Sequence, residues 1–364
     1  MNIARQLHDL GQHLWLDNIT RELLGSGTLQ RYIEEFSITG LTSNPSIFDK
    51  AISNTGAYDD AIHEKSAAGK SGELLFFELA LEDLTRAASL LRPAYDASGG
   101  DDGWVSLEVS PLLADETAAT IEAAAALHRR ANCPNLFIKI PGTPAGIPAV
   151  EETIFAGVPV NVTLLFSREH YIAAAEAYMR GIERRIAAGL DPKVRSVASL
   201  FVSRWDVAVH DKVPAELRNR LGIAIAKRAY KAYREMLASP RWKKLATQGA
   251  RPQQLLWAST GTKDPEASDT LYVDSLVAAG TINTVPEKTL HALVDHGKPD
   301  SELPESGGDA EAVIAEFAKA GVDDAALAER LQHEGVKSFA SSWNELLDCI
   351  ASRSEQLTKT ARAK

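Results

Sequence analysis

The stretch LFIKIPGT, residues 136–143, decides the reading of the chain. Leu136, Phe137, Ile138 and Ile140 form the short bounded apolar run of a buried parallel strand, yet Lys139 sits inside it. An ammonium is costly to bury, so the lysine needs a reason. Side chains on a strand alternate between its two faces, so Leu136, Ile138 and Ile140 share one face and Phe137 and Lys139 the other. If the apolar face packs on helices, Lys139 points into the middle of a sheet closed on itself.

Similar runs recur along the 364 residues: HLWLDN (13–18), ITGLTS (38–43), WVSLEVS (104–110), VPVNVTLLF (158–166), VASLFVS (197–203), LLWAST (255–260) and GTINTV (280–285). Helical patterns separate them. ADETAATIEAAAALHRRA sets Ile121, Ala125 and Leu127 near one face. SREHYIAAAEAYMRGIERRIAAG opens on a Ser167 cap and ends at Gly189, and AELRNRLGIAIAKRAYKAYREMLA reads as a further long helix. Strand-helix alternation with eight strands predicts a single (β/α)8 TIM barrel. The rival is a doubly wound open sheet, but no GxGxxG follows any strand. Extra helices are expected in 44–103, from PSIFDKAIS and GELLFFELALEDLTRAASLL. PDSELPESGGDAEAV, after residue 298, marks a break. The catalytic barrel is thus expected over 1–300, with a C-terminal helical extension over 301–364 packed on it and a frayed basic tail, TKTARAK.

Composition narrows the function. Net charge is −10, from 49 acidic and 39 basic residues, which argues against a nucleic-acid surface. No run approaches the roughly 18 apolar residues that cross a bilayer, so no membrane partner is expected. The N-terminus lacks the apolar core of a signal peptide. The only two cysteines, Cys133 and Cys349, belong to no CxxC. They argue against a zinc site or disulfide framework and for a cytoplasmic setting.

Parity applied to the other strands sends Asp17, Ser106, Glu108, Thr42, Asn44, Asn161, Thr163, Ser199, Ser203 and Ser259 inward, mostly late in their strands. In the same reading Leu164 faces out and Ser259 follows Trp257 inward. Barrel enzymes build their sites at that late end. Taken singly, each residue has a plainer reading. Lys139 and Glu108 could be a structural ion pair, Asp17 a cap for a helix beginning near Ile19, and Asn44 a turn or cap residue before Pro45. Thr163, Ser199 and Ser259 could be ordinary strand residues, and Arg204 a solvated surface arginine. Their convergence favours chemistry. Burial disfavours an ammonium's charge, and a neutral amine can attack a ketone to form a Schiff base. Asp17 and Glu108 are available as proton carriers, and Asn44, Asn161, Thr163 and Ser199 as partners for hydroxyls. Arg204 and Lys263 are candidate phosphate-binding cations.

LTSNPSIF (41–48), SLEVSPLLADET (106–117), LFIKIPGT, VNVTLLFS (160–167) and SLFVSRWD (199–206), in this order, resemble transaldolase, in its longer bacterial and cyanobacterial subgroup. The resemblance implies a Schiff-base transferase of the pentose phosphate pathway. It would move a dihydroxyacetone unit from sedoheptulose 7-phosphate to glyceraldehyde 3-phosphate, without metal or organic cofactor. By resemblance Lys139 is the imine nucleophile and Asp17 takes the proton from the hydroxyl beside the breaking bond. Glu108 and Thr163 activate a water, and Asn44 and Asn161 bind the retained unit, with Thr42 and Ser199 nearby. Arg204 and Ser259 bind the phosphate. One position departs: many transaldolases carry a second phosphate-binding arginine where this chain has Gly261, with Lys263 two residues on as a point-charge substitute. A fructose 6-phosphate aldolase that releases dihydroxyacetone, or a non-catalytic barrel used for protein interaction, are the competing readings. Phosphorylated sugars are the expected partners, and either a monomer or a homodimer is compatible.

Overall fold

Eight parallel strands close in chain order in the computed structural model, which describes residues 2–362. They are β1 (His13–Leu16), β2 (Ile38–Leu41), β3 (Trp104–Glu108), β4 (Leu136–Pro141), β5 (Val160–Leu165), β6 (Ser196–Phe201), β7 (Gln253–Ala258) and β8 (Ile282–Val285). Each is short and, apart from the half-buried His13 that opens β1, buried throughout, as a parallel barrel strand must be. Leu14, Leu16, Val105, Leu107, Leu136, Ile138, Val160 and Val162 pack outward against the helices. Trp15, Trp104, Phe137, Val197, Leu256 and Ile282 fill the interior. Trp104 stacks on Phe137 with ring centroids 4.1 Å apart. The Trp15 indole lies against Gly40 of β2, where a Cβ would stand 2.5 Å from the ring, so only glycine fits. This aromatic plug separates the two ends of the barrel.

Two strands depart from strict alternation. Leu164 takes a left-handed φ of 59°, and the β5–β6 register shifts between Val162 and Leu165. Leu164 therefore packs with Phe166, Phe201 and Trp205 at the barrel end instead of facing outward with Val162. In β7, Leu256 and Ala258 belong to the inner cluster, whereas Trp257 faces out toward Tyr230, 6.5 Å between centroids. Ser259 does not follow Trp257 inward by parity; its φ of 56° turns it there. Ser203 is no longer strand but the first residue of the helix Ser203–Val209.

Among the crossovers, Ser167 caps the helix Arg168–Ala187 by accepting from His170 N–H, and Gly189 follows at φ 69°. The helix Thr117–Ala131 buries Thr120, Ala124, Leu127 and Ala131; Ala125 lies off that line. The long helix before β7 begins at Leu221, since Ala215–Leu217 is a separate 3₁₀ turn. Three helices, Pro45–Asn54, Asp59–Ala67 and Gly72–Ala97, occupy the β2–β3 connection.

The C-terminal helix, Asp324–Arg362, crosses the barrel end where the strands finish. Gln332 donates to the carbonyls of Gly142 and Leu164, both at 3.0 Å. Trp343 donates to Glu73, which also accepts from Ser110, and packs edge-on against Phe76. Arg353 meets Asp59 through two bonds of 2.6 and 2.9 Å. Of the tail TKTARAK, the helix includes all but Ala363 and Lys364, which lie outside the described residues. Among the described residues no helix is long and apolar enough to cross a membrane.

Candidate active site

The parallel register brings the polar interior residues side by side. Glu108 pairs with Lys139, Lys139 with Asn161, and Pro141 with Thr163 on successive strands. Above them, at the strands' C-terminal ends, opens a cavity of about 190 Å³. Its walls include Asp17, Thr42, Asn44, Lys139, Thr163, Ser199, Arg204, Ser259 and Lys263.

At the floor, Lys139 Nζ lies 3.2 Å from Glu108 Oε2 and donates to the Ser43 carbonyl at 3.0 Å. Both residues are buried. Burial pushes the Glu108 carboxyl above its ordinary range, opposed by the Lys139 charge and reinforced by Asp17. Among the described residues neither Glu108 oxygen has an aligned hydrogen-bond donor, and Thr163 Oγ1 also lacks a partner. Unsatisfied buried oxygens beside a cavity suit a small polar guest such as water.

Asp17 stands on the facing wall. Thr42 Oγ1 donates to it at 2.8 Å and shares a 2.8 Å contact with Thr284. Burial raises the Asp17 carboxyl above its ordinary value, opposed by the Thr42 hydrogen bond and by Lys139 and Lys263. Asp17 caps no helix: Thr20 caps Arg21–Gly25 by accepting from Leu23 N–H. Asn44, in contrast, is a cap as well as a wall residue. Its carbonyl oxygen accepts from Ile47 N–H and Ser46, which leaves its amide nitrogen as the group free for a ligand. Asn161 does not reach the cavity wall. Its amide is committed to Ser199, which donates to it at 2.7 Å, and to Ser106 at 3.2 Å. Asn161 thus orients Ser199 from below.

At the mouth, Arg204 is partly buried rather than a solvated surface arginine. Burial lowers its pKa, and no ion pair involves it or Lys263 among the described residues. Ser259 shares a 2.8 Å contact with Ser203. Ser46, Thr284, Ser338, Phe339 and Ser342 also line the cavity and were not singled out from the sequence. Thr284 was accessible by applying parity to β8. Ser338, Phe339 and Ser342 come from the C-terminal helix, whose docking no local pattern announces.

Among the described residues, one cluster at the opposite end of the barrel gathers ligand-type atoms. His8, His13 and Asp102 bring theirs within 4.8 Å of one another. His13 Nδ1 and Asp102 Oδ2, however, touch at 2.5 Å, closer than two ligands about 2 Å from a shared cation normally stand.

The family model described as transaldolase/fructose-6-phosphate aldolase matches residues 14–350. A transaldolase of Parafrankia sp. strain EAN1pec is 45% identical, with 99% of this chain and 100% of that one aligned. A transaldolase of Thiobacillus denitrificans is 45% identical over 95% of this chain and 99% of its own. One of Thermobifida fusca is 45% identical over 95% and 97%.

Proposed function

This chain belongs to the transaldolase/fructose-6-phosphate aldolase family, and we propose that Lys139 is the amine through which it performs the transaldolase reaction. The enzyme is a transferase of phosphorylated sugars. It takes a dihydroxyacetone unit from sedoheptulose 7-phosphate and passes it to glyceraldehyde 3-phosphate. The observation that carries the assignment is the Lys139–Glu108 contact of 3.2 Å on a cavity floor that faces Asp17.

The reaction begins with a proton. In a dry site the ion pair can relax to neutral amine and carboxylic acid, because the raised Glu108 pKa lowers the cost of that transfer. The amine then attacks the substrate C2 carbonyl. The carbinolamine loses its hydroxyl as water, using the proton held by Glu108, and an iminium remains on Nζ. Thr163, with its unpaired Oγ1, holds that water against Glu108. Asp17, ionised, removes the proton of the C4 hydroxyl. The C3–C4 bond breaks, its electron pair moves into the iminium to form an enamine, and the C4 aldehyde departs. The second aldehyde enters, the enamine carbon attacks it, and Asp17 returns its proton to the new hydroxyl. Water from the Glu108–Thr163 site then hydrolyses the iminium. Asn44 and Ser199 hold the three-carbon unit's hydroxyls, with Thr42 fixing Asp17 and Asn161 fixing Ser199. Arg204, Ser259 and Lys263 take the phosphate. The two free thiols, Cys133 and Cys349, fit a reducing, cytoplasmic setting.

Borohydride reduction with fructose 6-phosphate tests this reading. We expect a dihydroxyacetone-derived adduct on Lys139 by peptide mapping. An adduct on another lysine, with Lys139→Ala still active, would overturn it. Release of free dihydroxyacetone faster than transfer would move the enzyme to the aldolase side of the family.

A further inference from the structure

Gly335, Ser338, Phe339 and Ser342 follow one another at i, i+3, i+4 and i+7, which puts them on one stripe of the C-terminal helix. The stripe faces the cavity: Ser338, Phe339 and Ser342 form part of its wall, which Arg204, Ser259 and Lys263 also line. The Arg204 guanidinium lies 5.1 Å from the Phe201 ring and 5.8 Å from the Phe339 ring, held between a barrel residue and a helix residue. Gly335 allows that approach, since a Cβ there would stand 3.4 Å from Arg204 Nη1 and 3.0 Å from Leu164 Cδ2.

The groups on this wall are unspent. The Ser338 and Ser342 hydroxyls bond to no described residue, and neither do the Arg204 and Lys263 cationic groups. At position 261 a Cβ would already be 3.1 Å from Pro286 Cγ, so the barrel wall there has little room for a long side chain. A phosphate needs more than one charged fork: its oxygens accept several hydrogen bonds, which hydroxyls and an ammonium can complete.

We infer that the C-terminal helix supplies half of the phosphate subsite: Ser338 and Ser342 donate to the phosphate, and Phe339 holds the Arg204 fork in place beside Lys263. The inference rests on the reading of the substrate as a phosphorylated sugar. Phe339 is a positioning residue; the two serines are ligands.

The test uses the full chain with Ser338→Ala and Ser342→Ala combined. Both positions are exposed or half-buried on a helix, where alanine preserves the fold. Inorganic phosphate is the first probe, by titration calorimetry. The double variant should bind it about tenfold more weakly, the effect of losing hydrogen bonds to a charged group. Phe339→Leu should weaken it several-fold. Unchanged phosphate affinity in the double variant overturns the inference. The second probe is the borohydride-trapped adduct. Half-saturation by fructose 6-phosphate should rise about tenfold while that by dihydroxyacetone stays within about twofold. Equal shifts for both ligands also overturn it. Weakened phosphate binding with no adduct on Lys139 in the parent protein would leave the subsite standing and remove the Schiff-base reading instead.

Discussion

The two ends of this barrel are made by the same strands, yet they treat polar groups in opposite ways. At the end where the strands begin, His13 contacts Asp102, whose other oxygen accepts from Trp15 Nε1 and Gly103 N–H. Arg195 donates to Gln254 and the Asp101 carbonyl, while Arg251 meets Asp101. Gln253 donates to Ser196, which donates onward to the Val160 carbonyl. Charge there is largely consumed by neighbours, which is what a structural end requires. Where the strands finish, Lys139 and Glu108 pair at the floor of a cavity, and the Arg204 and Lys263 cationic groups and the Ser338 and Ser342 hydroxyls on its walls form no ion pair or hydrogen bond among the described residues. Buried polar atoms without an aligned hydrogen-bond partner among the described residues occur at both ends, His13 Nδ1, Asp102 Oδ2, Arg195 Nε and Gln253 Oε1 at the first and the Glu108 and Thr163 oxygens at the second. What sets the second end apart is that its uncommitted cations and hydroxyls line a cavity, which marks it as the end that awaits a ligand.

Substitutions at the two ends should therefore fail in different ways. The largest effect is expected from Lys139→Ala, which should bring transfer to background and abolish the trapped adduct, with folding retained by circular dichroism. A variant that kept its activity would collapse the contrast. Asp17→Asn should lower kcat by about 10²–10⁴-fold, the range of a lost general base, while adduct formation with dihydroxyacetone survives. Because Asp17 must be ionised to act and burial raises its pKa, the acid limb of the parent's pH profile should lie above the ordinary carboxylate value of about 4. The same shift has a stability sign. A carboxylate with a raised folded pKa contributes its stability below about pH 4 and loses it as pH rises through the folded value. Asp17→Asn should thus melt higher than the parent at neutral pH, with the gap closing toward pH ~4; a lower melting point across that range contradicts the assignment. Glu108→Gln should slow adduct formation by about a hundredfold or more, measured by stopped trapping, and weaken its pH dependence.

The smallest effect on catalysis is expected at the other end. Asp102→Asn should leave kcat within about twofold while lowering stability by about 1–3 kcal/mol, the cost of breaking a buried charge-assisted contact. Burial alone would lower the His13 pKa, but the Asp102 hydrogen bond and charge carry the net shift upward. That pair's contribution is complete below about pH 6.5 and is lost as pH rises through the raised folded value. The stability difference between parent and Asp102→Asn, followed by thermal melts, should shrink accordingly. A large fall in kcat would mean that the two ends are coupled through the aromatic plug.

Much of the barrel could be read locally because strand alternation is a property of consecutive residues. Period two put Asp17, Glu108, Lys139, Thr163 and Ser199 on the inner face, and the structure has them there. The same rule failed at Ser259 and Leu164, where a left-handed residue ends the alternation. Neither is glycine or asparagine, so no residue preference announced the turn. Asn161 was legible as inward but not as spent, since its partners Ser106 and Ser199 lie 55 and 38 residues away along the chain. The long helix before β7 was read too early because the 3₁₀ turn at Ala215–Leu217 shares its apolar spacing.

The chain alone determined the eight strands, their inward polar residues and the lysine among them, because side-chain parity and helix periodicity act over a few residues. Only the folded barrel decided which of those residues meet one another, which remain without partners, and that a helix near the C-terminus closes the cavity with Phe339 over Arg204. Parallel register and helix docking join residues tens to hundreds of positions apart, and no local pattern encodes the geometry of such contacts.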